Sequence, residues 1–260
     1  MLDPKERFSD RVDDYVRYRP DYPRSLLELL ETECGLACDR DVADVGSGTG
    51  MLTRLLLESG ARVIGVEPNS AMRAAAERAL GHEPRFRSVD ASAEATGLPD
   101  ASVDLITAGQ AFHWFDSVQA HLEFSRILRP RGWVALAWNQ RQDSAFNRDY
   151  LAMLEQYAPD YGDVRVRDRE AEPKMRAFFA PASPRVARFD NEQRLDGPGL
   201  RGRLLSSSYA PRAGHPLHTP MLSRLDEIFA AHARDGRVTI AYDTAVWYGQ
   251  LGERQATEGR

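Results

Sequence analysis

Val42-Ala43-Asp44-Val45-Gly46-Ser47-Gly48-Thr49-Gly50 is the stretch that decides how this chain reads. A short apolar run enters a loop with glycine at every second position, and the carboxylate of Asp44 stands just ahead of it. Residues 51–60, MLTRLLLESG, follow as a helix closed by Gly60. A strand feeding a glycine loop and then a helix marks the ligand-binding end of a doubly wound sheet. There the missing Cβ atoms let the backbone come close to what it binds.

The pattern repeats outward from the loop. Residues 41–45, 61–68, 85–90, 103–110 and 132–140 read as strands. Helical stripes lie at 24–34, where leucines stand at 26, 27, 29 and 30, and at 71–80, behind the N-cap residues Asn69 and Ser70. A helix at 121–130 is expected to stop at Pro130. Strands and helices in alternation, with apolar strands, imply a parallel sheet covered on both faces. Beyond Gln140 the rhythm changes. Residues 141–184 are rich in arginine, acid and proline, with helical pieces expected near 146–157 and 174–180. Residues 185–190 and 237–248 are expected to pair as an antiparallel edge hairpin, with a helix at 221–234 between them. The whole reads as one α/β domain, Rossmann-like, with a mostly parallel seven-stranded sheet. Residues 1–38 form a helical cap, 39–140 the cofactor-binding core, and 141–260 a substrate-side insertion plus the edge strands.

The chain has 260 residues and a formal net charge of -5. An acidic balance argues against a nucleic-acid partner, since such domains usually carry a basic face. The only cysteines, Cys34 and Cys38, are too few for a four-thiolate zinc site and read as reduced thiols of a cytoplasmic protein. No metal cluster is expected. The opening MLDPKERFSD is charged from residue 3, unlike a signal peptide. No apolar run reaches the roughly 18 residues of a membrane span.

What the loop holds follows from its spacing. A dinucleotide site needs G-x-G-x-x-G, but Met51 stands where the third glycine would fall. Asp44 is also a poor neighbour for a pyrophosphate. It suits a cationic ligand, one that carries an ammonium and a sulfonium and no phosphate.

Four motifs in order then resemble a known family: VADVGSGTG, GVEPNSAM, VDASAEATGLPDASVDLITAGQAFHWFD and EFSRILRPRGWVALAW. Together they look like a class I S-adenosylmethionine-dependent methyltransferase of the type 11, small-molecule kind. The "HWF" after the fourth strand is similar to relatives of the trans-aconitate methyltransferases. The similarity covers about residues 41–140, with weaker echoes in FSDRVDDYVRYRPDYP and SSSYAP.

The resemblance implies a set of roles. Gly46, Ser47, Gly48 and Gly50 pass under the methionine and ribose parts of the cofactor, and Asp44 takes the amino group or anchors the loop. Glu67 accepts both ribose hydroxyls. Pro68 and Met72 flank the adenine, or Met72 packs as helix core. Asp90 accepts from the adenine amino group, or caps a helix, and the Ala91 N–H donates to a ring nitrogen. Gln110 lines the methionine pocket. Tyr15, Tyr18 and Arg19 fold over the cofactor as a cap, and Arg19 pairs with the methionine carboxylate or forms a structural salt bridge. His113 is the candidate base, its ordinary pKa lying near neutrality (~6.5); a substrate-orienting or structural role stays open. Trp114 walls the acceptor pocket. Arg141 and Tyr209, with Asn139, Gln140 and Arg212, fall where an acceptor site is built, and arginines there favour an anionic acceptor.

The acceptor reads as a small molecule. Residues 110–113 are Gln-Ala-Phe-His, not the Asp/Asn-Pro-Pro-aromatic tetrad of many nucleobase and glutamine methyltransferases. Two rival readings remain at this stage: a non-catalytic S-adenosylmethionine-binding scaffold, and a nicotinamide-dependent oxidoreductase with an irregular fingerprint.

Overall fold

A computed structural model describes residues 12–252, without the side chains of residues 13, 14, 163–165 and 167–169. The first eleven residues of the expected cap lie outside the described residues.

The alternation seen in the sequence becomes a seven-stranded sheet in the order β3-β2-β1-β4-β5-β7-β6. The strands are β1 (Asp41–Val45), β2 (Arg62–Val66), β3 (Phe86–Val89), β4 (Val103–Gly109), β5 (Leu128–Arg141), β6 (Arg185–Leu195) and β7 (Val238–Gly249). The first five run parallel. β7 is antiparallel to β5 and β6 antiparallel to β7, so the expected edge pair forms. The chain turns one way from β1 to β3 and the other way from β4 onward. A crevice therefore opens at the carboxyl ends of β1 and β4.

Side chains alternate across the strands. Val42, Leu105 and Ala135 face one core with α2 (Arg24–Glu33) and α3 (Met51–Leu57). Ala43, Ile106 and Val134 face another with α5 (Ser117–Ile127) and α7 (Tyr161–Phe178). A third core joins α6 (Ala145–Tyr157), α8 (Gly197–Leu205), α9 (His218–His232) and the first half of β7. It stands on the side of the sheet where β5 ends at Arg141. α1 (Val12–Tyr18) bridges that lobe and the sheet, packing against α8 and against α4 (Ser70–Leu80).

Several boundaries differ from the sequence reading. α5 starts at Ser117 because the Asp116 side chain caps it, accepting from the Val118 and Gln119 N–H groups. It ends before Leu128, and Pro130 lies inside β5, next to a register shift and to Arg131 at φ +67°. A proline is tolerated in such an irregular strand segment. α7 runs for 18 residues through Pro173, far longer than the piece expected at 174–180. α8 was not anticipated. Its sequence, GPGLRGRLL, is poor in helix formers, and Asp196 capping Gly199 N–H starts it.

Candidate active site

The glycine loop folds back on β2. Gly46 and Ser47 donate to Val66 O (2.8 and 3.2 Å), Gly48 donates to Glu67 Oε2 (2.9 Å), and Gly50 donates to Ser47 O (2.9 Å). Gly46 has φ +66°, and a Cβ there would stand 2.5 Å from the Ala111 Cβ. Only glycine meets both demands. With these four amides engaged, they are not available to cradle a diphosphate.

Two carboxylates flank the loop instead. Asp44 is fully buried, and its oxygens accept from Thr53 Oγ1 (2.6 Å, on α3) and Thr107 Oγ1 (2.9 Å, on β4). Burial outweighs those bonds and raises its pKa to about 6. Glu67 is 8% exposed and accepts from Asn69 N–H (2.8 Å) as well as Gly48 N–H. Burial raises its pKa too, against the two backbone donors. Each carboxylate oxygen keeps a lone pair for another donor.

One cavity of about 660 Å³ takes in Asp44, Gly46, Ser47, Gly48, Glu67, Pro68, Met72, Gln110, His113 and Trp114 along one wall. Arg19 lines it as well, donating to Ser206 O (3.3 Å) and lying 4.6 Å over the Tyr15 ring. Gln110 sits at φ +55°, a strained conformation for a residue with a side chain. Its amide clasps the β5 backbone, accepting from Asn139 N (3.2 Å) and donating to Asn139 O (3.3 Å). His113 rides on a single 3-10 turn, Phe112–Trp114, with its ring 4.5 Å from Trp114 and 5.1 Å from Trp138. Another part of the wall comes from the end of β5, from β7, and from α6, α7, α8 and the segment after α8: Arg141, Leu151, Tyr161, Arg203, Tyr209 and Tyr242.

Five residues singled out in the sequence do not line the cavity, Arg212 among them. Asp90 is exposed and pairs with Arg73 (2.8 Å), whose other nitrogen holds Glu67 O (2.8 Å). Arg73, one turn into α4, draws Asp90 outward. Beside it Ala91 is also set back, and Ser92, Ala93 and Glu94 form that wall. Gly50 is the N-cap of α3 at φ +84° and faces Leu80 and Ala76. The Tyr18 ring lies flat on Gly202 of α8, and its carbonyl accepts from Gln193.

Residues 43–136 match the model of a methyltransferase domain. The chain is 32% identical over 225 residues to an uncharacterized methyltransferase of Mycobacterium tuberculosis, covering 86% of each protein. It belongs to the class I S-adenosylmethionine-dependent methyltransferases. An uncharacterized methyltransferase of Schizosaccharomyces pombe is 36% identical over 141 residues, covering 53% of this chain and 54% of that one. A solved structure from Anaeromyxobacter dehalogenans, described as a candidate type II methyltransferase, superposes with a TM-score of 0.67. It shares 26% identity and covers 91% of this chain and all of that one.

S-adenosylmethionine is thus the cofactor, and the methyltransferase presents groups that suit it. Asp44 and Glu67 are buried carboxylates on the cavity, and the Arg19 Nε is buried there without a hydrogen-bond partner. The nicotinamide reading fails on the family and on the engaged loop amides. No helix among the described residues is long and apolar enough to cross a membrane. Sequence reasoning missed Tyr22, whose hydroxyl occupies the space a Cβ on Gly109 would need, and Arg203, Trp138 and Tyr242. Tyr22 stood inside the quoted N-terminal echo. Trp138 closes the quoted fourth motif, whereas Arg203 and Tyr242 carry no local signal, because only the tertiary fold brings them to the cavity.

Proposed function

We propose that this methyltransferase methylates a small molecule held in the same cavity as its cofactor. The observation that carries the reading is the continuity of that cavity, from Asp44 and Glu67 to the wall of Arg141, Tyr209 and Tyr242. Its volume, about 660 Å³, lies within the range of sites for small ligands.

In this reading Glu67 accepts from the ribose hydroxyls, Asp44 from the amino group, and Arg19 holds the carboxylate. Pro68 and Met72 support the base. S-adenosylmethionine supplies a methyl group already activated on sulfur, so the protein's work is orientation and exclusion of water. Gln110, fixed to β5, and Trp114 border the reacting end. His113, at the tip of β4, accepts a proton from an acceptor that carries one, or donates a hydrogen bond that orients a carboxylate.

Two results test this. Incubated with S-adenosylmethionine and a cell extract split by ultrafiltration, the protein should form S-adenosylhomocysteine with the low-mass fraction. Product formed only with the macromolecular fraction would overturn the small-molecule reading. With an accepted substrate, His113→Gln should lower kcat by about 10²-fold while leaving S-adenosylhomocysteine affinity within about threefold. Unchanged turnover would remove His113 from the chemistry.

A further inference from the structure

Many surface arginines of the methyltransferase are ion-paired, whereas three that line the cavity, one buried and two partly buried, have no counter-charge among the described residues. Arg62, Arg126 and Arg129 are each ion-paired with carboxylates. Arg19, Arg141 and Arg203 face the cavity, and none of them forms an ion pair among the described residues. Arg203 is 3% exposed. Its one side-chain bond goes to Ser207 Oγ (3.1 Å). Arg141 reaches the Tyr209 hydroxyl at 3.4 Å and lies 5.3 Å over the Tyr150 ring. In all three guanidiniums the Nε is buried with no hydrogen-bond partner, as are the hydroxyls of Tyr150 and Tyr242.

Desolvating a guanidinium is unfavourable, and gathering several like charges adds repulsion. A buried group of this kind normally finds a partner inside the protein. Here the partners are phenols. Burial pushes the Tyr209 phenol up, but Arg141, Arg203 and Arg19 together outweigh it and bring it down to about 8. The positive charge at this end of the cavity is relieved when an anion enters. The cofactor has one carboxylate, and Arg19 is its proposed partner. That leaves Arg141 and Arg203.

We propose that Arg141 and Arg203, with the hydroxyls of Tyr209, Tyr150 and Tyr242, form an oxyanion subsite that anchors an acidic methyl acceptor through a carboxylate or phosphate group. The proposal rests on the acceptor-side reading above. Arg203 becomes the specificity-determining residue: its planar fork can bind two oxygens at once, which an ammonium cannot.

The test is calorimetry on the full chain saturated with S-adenosylhomocysteine, using glutarate, inorganic phosphate and the neutral glutaramide as probes. Glutarate or phosphate, or both, should bind saturably, and glutaramide should not. Whichever anion binds names the class. Arg203→Met and Arg141→Met should each weaken that binding by about tenfold or more, and Arg203→Lys should weaken it less. The Tm of ligand-free Arg203→Met should not fall, because a buried unpaired charge has been removed. Glutaramide binding as well as glutarate, no anion binding, or unchanged binding in both Met variants would overturn the subsite. So would a lower Tm in Arg203→Met that Arg203→Lys restores. S-adenosylhomocysteine binding in the same samples separates the outcomes: retained, it confines a failure to the subsite; lost throughout, it removes the cofactor placement as well.

Discussion

Glu67→Ala is expected to weaken S-adenosylmethionine binding by about 10²–10³-fold, the largest single effect at the site. Two contributions add. The proposed bonds to the ribose hydroxyls are charge-assisted, each worth about 1.5–3 kcal/mol. Glu67 also holds the Gly48 and Asn69 N–H groups, at 2.9 and 2.8 Å, and so fixes the glycine loop to the start of α4. Alanine leaves both donors without their acceptor. Glu67→Gln separates the contributions: its amide oxygen can still take one of these donors, so stability should recover more than affinity. Calorimetry for affinity and thermal melting for stability check the pair. If Glu67→Ala bound the cofactor within threefold of the parent, Glu67 would not be the ribose acceptor.

Asp44→Asn is expected to act in opposite directions on stability and on binding. The ordinary carboxylate pKa is about 3.9, and burial raises that of Asp44 to about 6. Between those values the folded state holds a proton that the unfolded chain has released. Keeping Asp44 charged at pH 7 therefore destabilises the ligand-free fold by about 3 kcal/mol, a burden that grows as pH rises from about 4 to 6 and is absent at low pH. Asparagine removes it, so the variant's Tm should match or exceed the parent's at pH 7.5, with a smaller difference at pH 5. Glu67, also raised by burial, adds to the upward shift of Asp44, so neutralising Asp44 lightens the burden on Glu67 as well and acts in the same direction. Cofactor affinity at pH 7.5 should fall by about 10–100-fold, since the amino group loses its ionic partner. A drop in Tm with unchanged affinity would make Asp44 a loop anchor only.

The parts of the fold legible in the sequence are those where backbone geometry dictates residue type. The glycines of 46–50, the cap at Asn69 and the apolar strands of β1, β2 and β4 each answer to a local demand. α8 was hidden because Gly197, Pro198, Gly199 and Gly202 argue against a helix. Gly202 is required there by the Tyr18 ring, almost two hundred residues earlier in the chain. α7 was shortened by Pro173 and by its charge-rich first half. At the site, Asp44 and Glu67 were readable because they end strands beside the loop. Asp90 stands off the cavity wall, paired with Arg73, a partner that sequence spacing does not reveal. Arg203 is one arginine among many until the fold buries it opposite Arg141.

The central claim is that a buried carboxylate at the end of β1 receives the cationic end of the cofactor. Calorimetric titration of S-adenosylmethionine at pH 6, in two buffers of different ionisation enthalpy, tests it most directly. Asp44 is about half protonated there when free, so binding should release about half a proton or more per cofactor, falling toward zero by pH 8 and reduced in Asp44→Asn. Binding with no proton release at pH 6, or with the same release in Asp44→Asn, would contradict it.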